Sequence, residues 1–236
     1  MSRELPPALI LAAGKGTRLG DLGRQVPKVL LPIGGRPLLD RHLEHLEHEG
    51  VRRVVINAHH LADQLHEHLA DYRGPLEIEV LVEPTLLGTA GAALNALDAL
   101  GRGHFLVIYG DVMLFEPLAP ILRTHEDSDA RATVTVYERD DTTAKGVVEV
   151  NSDGTVRSFV EQDPRRTGPG LVNAGLYIVE PDLLADCEPG AFLDFGHDVF
   201  PAALAAGQRI QTHLIPPVLD IGTPEGLASA REVSIS

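Results

Sequence analysis

An α/β fold, with helices flanking a mixed and mostly parallel sheet, is what this sequence predicts, and three observations carry the prediction. Apolar runs of strand length alternate with amphipathic helical patterns through the first half of the chain. The first of these runs ends directly in a glycine turn, Gly14-Lys-Gly-Thr-Arg18. The second half then changes to closely spaced strand-like runs joined by short turns.

The elements follow in order. Residues 9–12 read as a short buried strand that feeds the glycine turn. Leu39, Leu43 and Leu46 fall at i, i+4 and i+7, one apolar stripe of a helix. Strand runs follow at 52–57, 76–82 and 104–109, with helical patterns between them. A parallel neighbour requires a crossover long enough for a helix, so this alternation implies right-handed strand–helix–strand units. From residue 131 the runs at 131–138, 146–150 and 155–160 read as shorter strands, the last two joined by a turn at Asn151-Ser-Asp-Gly154. They predict a small sheet extension built onto the first half. No linker, repeat or low-complexity tract intervenes, so a single domain over 1–236 is expected, with halves of about 1–130 and 131–236.

Composition narrows the partners. The 236 residues are 44% hydrophobic, enough for one sizeable core, and no window has the uninterrupted apolar length of a membrane span. The first residues, Met-Ser-Arg-Glu-Leu-Pro-Pro, lack the apolar region of a signal peptide, and the single cysteine, Cys187, forms no internal disulfide. A cytoplasmic setting is therefore expected. A formal net charge of −14 argues against nucleic acid and anionic membrane as partners. Any phosphate-rich ligand must meet placed cations and a divalent metal that overcome this field locally.

The glycine turn offers such a place. Glycines let backbone N–H groups approach anionic oxygens, and Arg18 and Lys28 supply positive charge beside them. The spacing is not that of a dinucleotide fingerprint, since Leu19 stands where the third glycine belongs, nor that of a Walker loop. Asn57 also stands where a nicotinamide-dependent dehydrogenase would end its second strand with an acid. Asp111 follows Tyr109-Gly110 at the carboxyl end of the run 104–109, the edge of a parallel sheet where ligands bind. Asp220 has a similar setting before Ile-Gly-Thr-Pro. Together the two carboxylates make a hard-oxygen site suited to Mg²⁺, and the alternative for each is a cap or turn role.

These segments resemble the sugar-1-phosphate nucleotidylyltransferases. The matching strings are LAAGKGTRLG…VPKVLLPIGGRPLL within 11–39, LGTAGAAL at 87–94, YGDVM at 109–113, FVEQDP at 159–164, VNAGLYIV at 172–179 and LDIGTPEGLASA at 219–230. The resemblance implies the Rossmann-like nucleotide-diphospho-sugar transferase fold and transfer of a nucleoside monophosphate from a nucleoside triphosphate to a sugar 1-phosphate, with release of pyrophosphate. It implies that Leu11, Ala13, Gly14, Gly16 and Thr17 cradle the nucleotide, that Arg18 grips the departing phosphates, and that Lys28 reaches the α-phosphate and the incoming sugar phosphate. Glu83, Gly88, Thr89 and Gly110 would complete the nucleotide site, with Asp111 and Asp220 holding Mg²⁺. Gly146, Glu161, Gln162, Asn173 and Gly175 would bind the sugar phosphate.

Two positions refine this expectation. Guanine presents two adjacent donors that match one carboxylate, whereas uracil and thymine suit an amide, so Glu83 favours GTP, and with GTP the resemblance implies a manno-configured hexose or heptose 1-phosphate as acceptor. The alternative is uridylyl or thymidylyl transfer to a gluco-configured sugar phosphate. Gln162 stands where the family commonly has a phosphate-binding lysine, so Arg165, Arg166 or Lys145 substitutes or phosphate binding is weaker. A catalytically inactive nucleotide-sensing subunit would be expected to lose Arg18, Lys28, Asp111 or Asp220, and all four are present. Some members of the family carry a C-terminal β-helix of hexapeptide repeats; no such repeat occurs here, and homo-oligomerisation is left open. The histidines 42, 45 and 48, with 59, 60, 66 and 68, read as a solvated polar face, and Cys187 as inert.

Overall fold

A computed structural model describes residues 5–143, 145–160 and 167–233. Strand β1 (Ala8–Leu11) leads through the glycine loop into a 3-10 turn at Thr17–Leu19 and the short helix α1 (Asp21–Gln25). A second 3-10 turn at Lys28–Leu30 and the hairpin β2 (Pro32–Ile33) and β3 (Arg36–Pro37) bring the chain to α2 (Leu38–Glu49). Then come β4 (Arg53–Ala58), α3 (Ala62–Ala70), β5 (Glu77–Val82), α4 (Gly88–Leu100) and β6 (Phe105–Tyr109). The remainder comprises β7 (Val112–Met113), α5 (Leu118–Glu126), β8 (Ala132–Arg139), β9 (Val147–Val150), β10 (Val156–Val160) and β11 (Gly170–Val179). It closes with α6 (Phe200–Ala205), β12 (Ile210–Leu214), β13 (Leu219–Asp220) and α7 (Pro224–Glu232).

One nine-stranded sheet runs through both halves in the order β10-β9-β11-β6-β1-β4-β5, with β8 on β11 and β12 on β8. β1 lies between β4 and β6, parallel to both, and Ile10 pairs with Ile56 and Ile108. Only β11 and β10 run against the other strands of this sheet. This is the predicted fold: parallel crossovers build the first half, and β11 couples it to the second.

Period-two alternation decides which face each strand residue covers. Ile10, Ile56, Ile108 and Ile178 point into one core, under α2, α3 and α5. Their neighbours Leu9, Val55, Val107 and Tyr177 point into the other, under α4 and α6. The face of α4 in that second core is mainly alanine, Ala90, Ala93 and Ala96, so the helix can lie close to the sheet. A third, smaller core joins Leu19, Leu31 and Ile33 to Ile221 and Leu227. It clamps α7 and β13 onto the loops that carry Arg18 and Lys28. Burying a leucine such as Leu227 contributes about 1.5–3 kcal/mol, which makes this clamp firm.

Strand boundaries shift by one residue from several of the sequence expectations, and the second half departs further. Its strands are not uniformly short, since β8 has eight residues and β11 ten. β11 contains a register shift between Asn173 and Tyr177, with Gly175 at φ +83°. That bulge interrupts the alternation by which a long strand is recognised. Among the described residues, no helix is long and apolar enough to cross a membrane.

Candidate active site

A cavity of about 380 Å³ opens at the carboxyl ends of β1, β4 and β6, lined by Leu11, Asn57 and Tyr109 from those strand ends. It lies where the chain turns one way from β1 to β4 and the other way to β6, the crevice in which α/β sheets hold ligands. The glycine loop forms one wall. Gly16 sits at φ +64°, and a Cβ on Gly23 of α1 would lie only 2.1 Å from its carbonyl oxygen, so loop and helix pack backbone against backbone. A Cβ on Gly14 would lie 3.3 Å from Lys28 Cε and Nζ, which places the lysine across the loop.

The charged groups converge at one end. Lys28 Nζ donates to Asp111 Oδ2, with both side chains mostly buried. β13 pairs with β7 so that Asp220 faces Val112, and Ile221 N donates to the Asp111 carbonyl at 2.8 Å. Asp220 Oδ1 accepts from Gly222 N at 2.7 Å, while Lys145 Nζ lies 3.7 Å from Oδ2. Gly222 has no side chain, and the space shows why: a Cβ there would lie 2.8 Å from Asp220 Oδ1, 3.1 Å from Asp111 Oδ2 and 3.4 Å from Arg18 Nη2. Two carboxylates and one guanidinium therefore surround a single point. Arg18 makes no hydrogen bond or ion pair among the described residues, which leaves its donors available to an anion.

A hydrogen-bonded chain forms the floor at the opposite end. Ala12 N donates to Asn57 Oδ1 at 2.7 Å, and Asn57 Nδ2 donates to Glu83 Oε1 at 2.7 Å. Glu83 Oε2 accepts from Leu87 N at 3.2 Å. Burial pushes the Glu83 carboxyl above its ordinary range, against the opposing pull of Asn57, Leu87 and His59. Above it, α4 begins at Gly88 with φ +75°, where a Cβ would lie 2.4 Å from the Leu193 carbonyl oxygen. That oxygen accepts from Ala90 N and Gly91 N, and Asp194 Oδ1 accepts from both Thr89 N and Thr89 Oγ1 at 3.0 Å.

On the far wall, Asn173 N donates to the Gly146 carbonyl at 2.9 Å. Its side chain is held at both ends, with Oδ1 accepting from Gly175 N at 3.0 Å and Nδ2 donating to Tyr177 OH at 2.6 Å. Tyr177 OH in turn donates to Tyr109 OH at 3.1 Å. A Cβ on Gly175 would press on Tyr109 at 3.0 Å, so the bulge lets β11 approach the end of β6.

Of the residues singled out in the sequence, Leu11, Ala13, Gly14, Arg18, Lys28, Glu83, Gly88, Thr89, Asp111, Gly146, Asn173, Gly175 and Asp220 line this one cavity. Gly16, buried, and Thr17, exposed, belong to the same glycine loop but do not line the cavity. Gly110 packs beneath the site, where a Cβ would meet Val29 Cγ1 at 2.7 Å. Glu161 and Gln162, with Arg165 and Arg166, lie outside the described residues. Asn57, Lys145, Phe192 and Asp194 also line the cavity. Of these only Lys145 carries a site signal in the sequence, as one of three cations that can stand in for the lysine absent at Gln162; Asp194 reaches Thr89 across 105 residues and has none.

The histidines are only partly a solvated face: His48 and His66 are exposed, whereas the other five are buried or half-buried. His42 is buried against Phe115 and behind the Gly110–Val112 turn, and its Nε2 has no hydrogen-bond partner among the described residues. Burial, then His45, push its pKa down to about 4, against the carbonyls of Gly110 and Val112 and the charge of Asp111. His59 Nδ1 lies 2.8 Å from the Glu83 carbonyl oxygen and His60 Nε2 3.1 Å from that of Gly23, so both brace the site. Cys187 is part-buried, and burial with Asp186 and Asp198 pushes its thiol up, away from thiolate chemistry.

Comparison with known proteins gives a consistent picture. The family model for nucleotidyl transferases matches residues 7–234. The crystal structure of HddC from Yersinia pseudotuberculosis superposes with a TM-score of 0.84 at 29% identity, covering 97% of this chain and 99% of that one. The same protein complexed with GMP-PN gives 0.83 at 30%, with the same coverage. The chain is 33% identical over 225 residues to a probable mannose-1-phosphate guanylyltransferase 1 of Oryza sativa subsp. japonica, covering 92% of this chain and 61% of that protein. It is 30% identical over 230 residues to the mannose-1-phosphate guanylyltransferase of Mycobacterium tuberculosis, covering 95% and 63% respectively. The chain thus spans about three fifths of the length of these curated relatives.

Proposed function

The chain belongs to the nucleotidyl transferase family, that of the sugar-1-phosphate nucleotidylyltransferases, and from that premise we propose that it transfers a guanylyl group from GTP to a manno-configured hexose or heptose 1-phosphate. The observation that carries this reading is the convergence of Arg18, Lys28, Asp111 and Asp220 at one end of a single cavity. An oxygen of the sugar phosphate attacks the α-phosphorus; that P–O bond forms as the bond to the bridging oxygen breaks, and pyrophosphate leaves. The attacking oxygen is already ionised at neutral pH, so no general base is needed and the work is positioning and charge stabilisation.

Each residue then has a task. Arg18, without a partner among the described residues, holds the departing phosphates. Lys28 moves from Asp111 to the α-phosphate and the incoming sugar phosphate as these bind. Lys145, beside Asp220, supplies the cation that Gln162 lacks. Asp111 and Asp220 suit a Mg²⁺ ion: both are hard-oxygen donors, and their oxygens approach the one point that Gly222 leaves clear. Bound there, Mg²⁺ would offset phosphate charge and stabilise the charge that develops on the leaving pyrophosphate. Glu83 reads the guanine N1–H and N2–H₂ with the lone pairs that Asn57 and Leu87 leave over. The guanine assignment draws support from the GMP-PN complex of HddC and from the names of the curated relatives. We assign the reaction to the cytoplasm, where nucleoside triphosphates are made and where the lone Cys187 has no need of oxidation.

Pyrophosphate release, measured with Mg²⁺ across nucleoside triphosphates and sugar 1-phosphates, tests the proposal. Release is expected with GTP and a manno-configured acceptor together, and Asp111→Asn should lower it by at least about a hundredfold while circular dichroism stays native. Preference for UTP or dTTP with a gluco-configured acceptor would replace the substrate assignment. Silence across the panel from a folded protein that still binds nucleotide would overturn the catalytic reading in favour of a sensing subunit.

A further inference from the structure

A second cluster of ligand-type side chains sits at the edge of the sheet opposite the cavity. His104 immediately precedes β6, and Glu180 immediately follows β11, which pairs antiparallel with β6 through Val179 and Phe105. His125, in the last turn of α5, reaches the same spot. His125 Nε2 lies 3.2 Å from Glu180 Oε1, and His104 Nδ1 lies 3.6 Å from that oxygen. The three ligand atoms all lie within 4.8 Å of one another. Around a tetrahedral zinc with bonds of about 2.0–2.2 Å, ligand atoms stand roughly 3.3 Å apart. Two edges of such a polyhedron are near that spacing, and the third closes by turning the part-exposed His104 ring.

The surroundings resemble those of a metal ligand. His125 is buried, and its other nitrogen, Nδ1, lies 3.0 Å from the hydroxyl of the wholly buried Thr133. When that hydroxyl accepts from Nδ1–H, a neutral ring turns its Nε2 lone pair toward a carboxylate oxygen, an arrangement satisfied by a proton or a metal cation between them. When the hydroxyl donates instead, Nε2–H bonds Glu180 and the cluster is a plain hydrogen-bonded chain. A cavity of about 350 Å³, bounded by His104, Leu122 and Glu126, opens on the His104 side of the group. Two imidazoles and one carboxylate are the donor set of Zn²⁺ and its neighbours, whereas Mg²⁺ takes oxygen. The seven residue steps from His104 to Asp111 span roughly 20 Å, so the group is remote from the cavity that holds Asp111.

We propose that His104, His125 and Glu180 bind a divalent transition metal of the Zn²⁺ class, which staples the start of β6 to the ends of β11 and α5. The experiment uses the tag-free full chain, stripped with a chelator and titrated with Zn²⁺ by calorimetry and with Co²⁺ by visible absorption. One equivalent should bind in excess Mg²⁺, Co²⁺ should give a tetrahedral spectrum, and the thermal midpoint should rise by roughly 5–10 °C at a hundredfold excess over Kd. His104→Ala and Glu180→Gln, both at part-exposed positions, should each weaken binding by roughly a hundredfold or more, and Thr133→Val by about 10–100-fold. Failure to saturate with Zn²⁺, or affinity unchanged in His104→Ala and Glu180→Gln, would overturn the site. Because the readouts are binding, spectrum and melting, the result is independent of whether the chain transfers guanylyl groups.

Discussion

Glu83 illustrates how much one side chain can be asked to do. It is 2% exposed, it ties β4 to the start of α4 through Asn57 and Leu87, and its carboxyl is pushed up by burial. The sequence suggested a base-reading carboxylate, but nothing in it revealed that both oxygens already accept internal bonds. In Glu83→Gln one acceptor becomes a donor that must face either Leu87 N–H or the Asn57 amide, which costs about 1–3 kcal/mol. We expect a lower thermal midpoint together with a tenfold to hundredfold fall in kcat/KM for GTP, and a smaller fall for UTP. A lower midpoint with an unchanged ranking of triphosphates would confine Glu83 to the scaffold.

At the scale of elements, the position of Asp220 depends on α7. Thr223 caps that helix, its Oγ1 accepting from Gly226 N at 3.1 Å, with Pro224 just inside. Gly226 touches β13 so closely that a Cβ would lie 1.8 Å from the Asp220 carbonyl oxygen. Gly226→Ala should therefore push helix and strand apart, costing about 1–3 kcal/mol of stability and at least about tenfold in pyrophosphate release. Thr223→Ala should cost about 1 kcal/mol through the lost cap yet leave turnover near that of the parent. Equal activity in both variants would show that α7 does not set Asp220. The motif LDIGTPEGLASA made this segment recognisable, but its glycines acquire a reason only when the strand beneath them is seen. β11 teaches the converse, because Asn173 and Gly175 look like turn residues in sequence and prove to be a bulge inside the longest strand.

Over the whole molecule, buried histidines set the response to acid. His42 is pushed down to about 4, and His45, His125 and His213 are also lowered, each chiefly by burial. The folded values lie below the ordinary 6.5, so the unfolded chain takes up protons first as pH falls. Stability is thus complete above about pH 6.5 and declines toward pH 4, with His42 alone accounting for on the order of 3 kcal/mol. The raised carboxyl of Glu83 acts in the opposite sense, since the folded state binds its proton first. Urea midpoints measured between pH 7.5 and 4.5 should fall in the parent protein, and the fall should be shallower in His42→Leu by up to one proton's worth of slope. The relief of self-repulsion in an acidic chain is common to both proteins, so identical slopes would refute the assignment to His42.

The sequence by itself determined the alternation of strands and helices, the glycine loop, and the cations and carboxylates from which the site is built. These are legible because each is written in consecutive residues, as an apolar run, a periodic stripe or a turn. Only the tertiary structure brought Asp220 and Lys145 to Asp111, laid Asp194 against Thr89, and gathered His104, His125 and Glu180 at the opposite edge. It also buried His42, whose helix position said which way the ring points but not that Phe115 would cover it. Periodicity assigns a residue to a face of its own element; what meets that face is decided by strand order and packing between segments about a hundred residues apart.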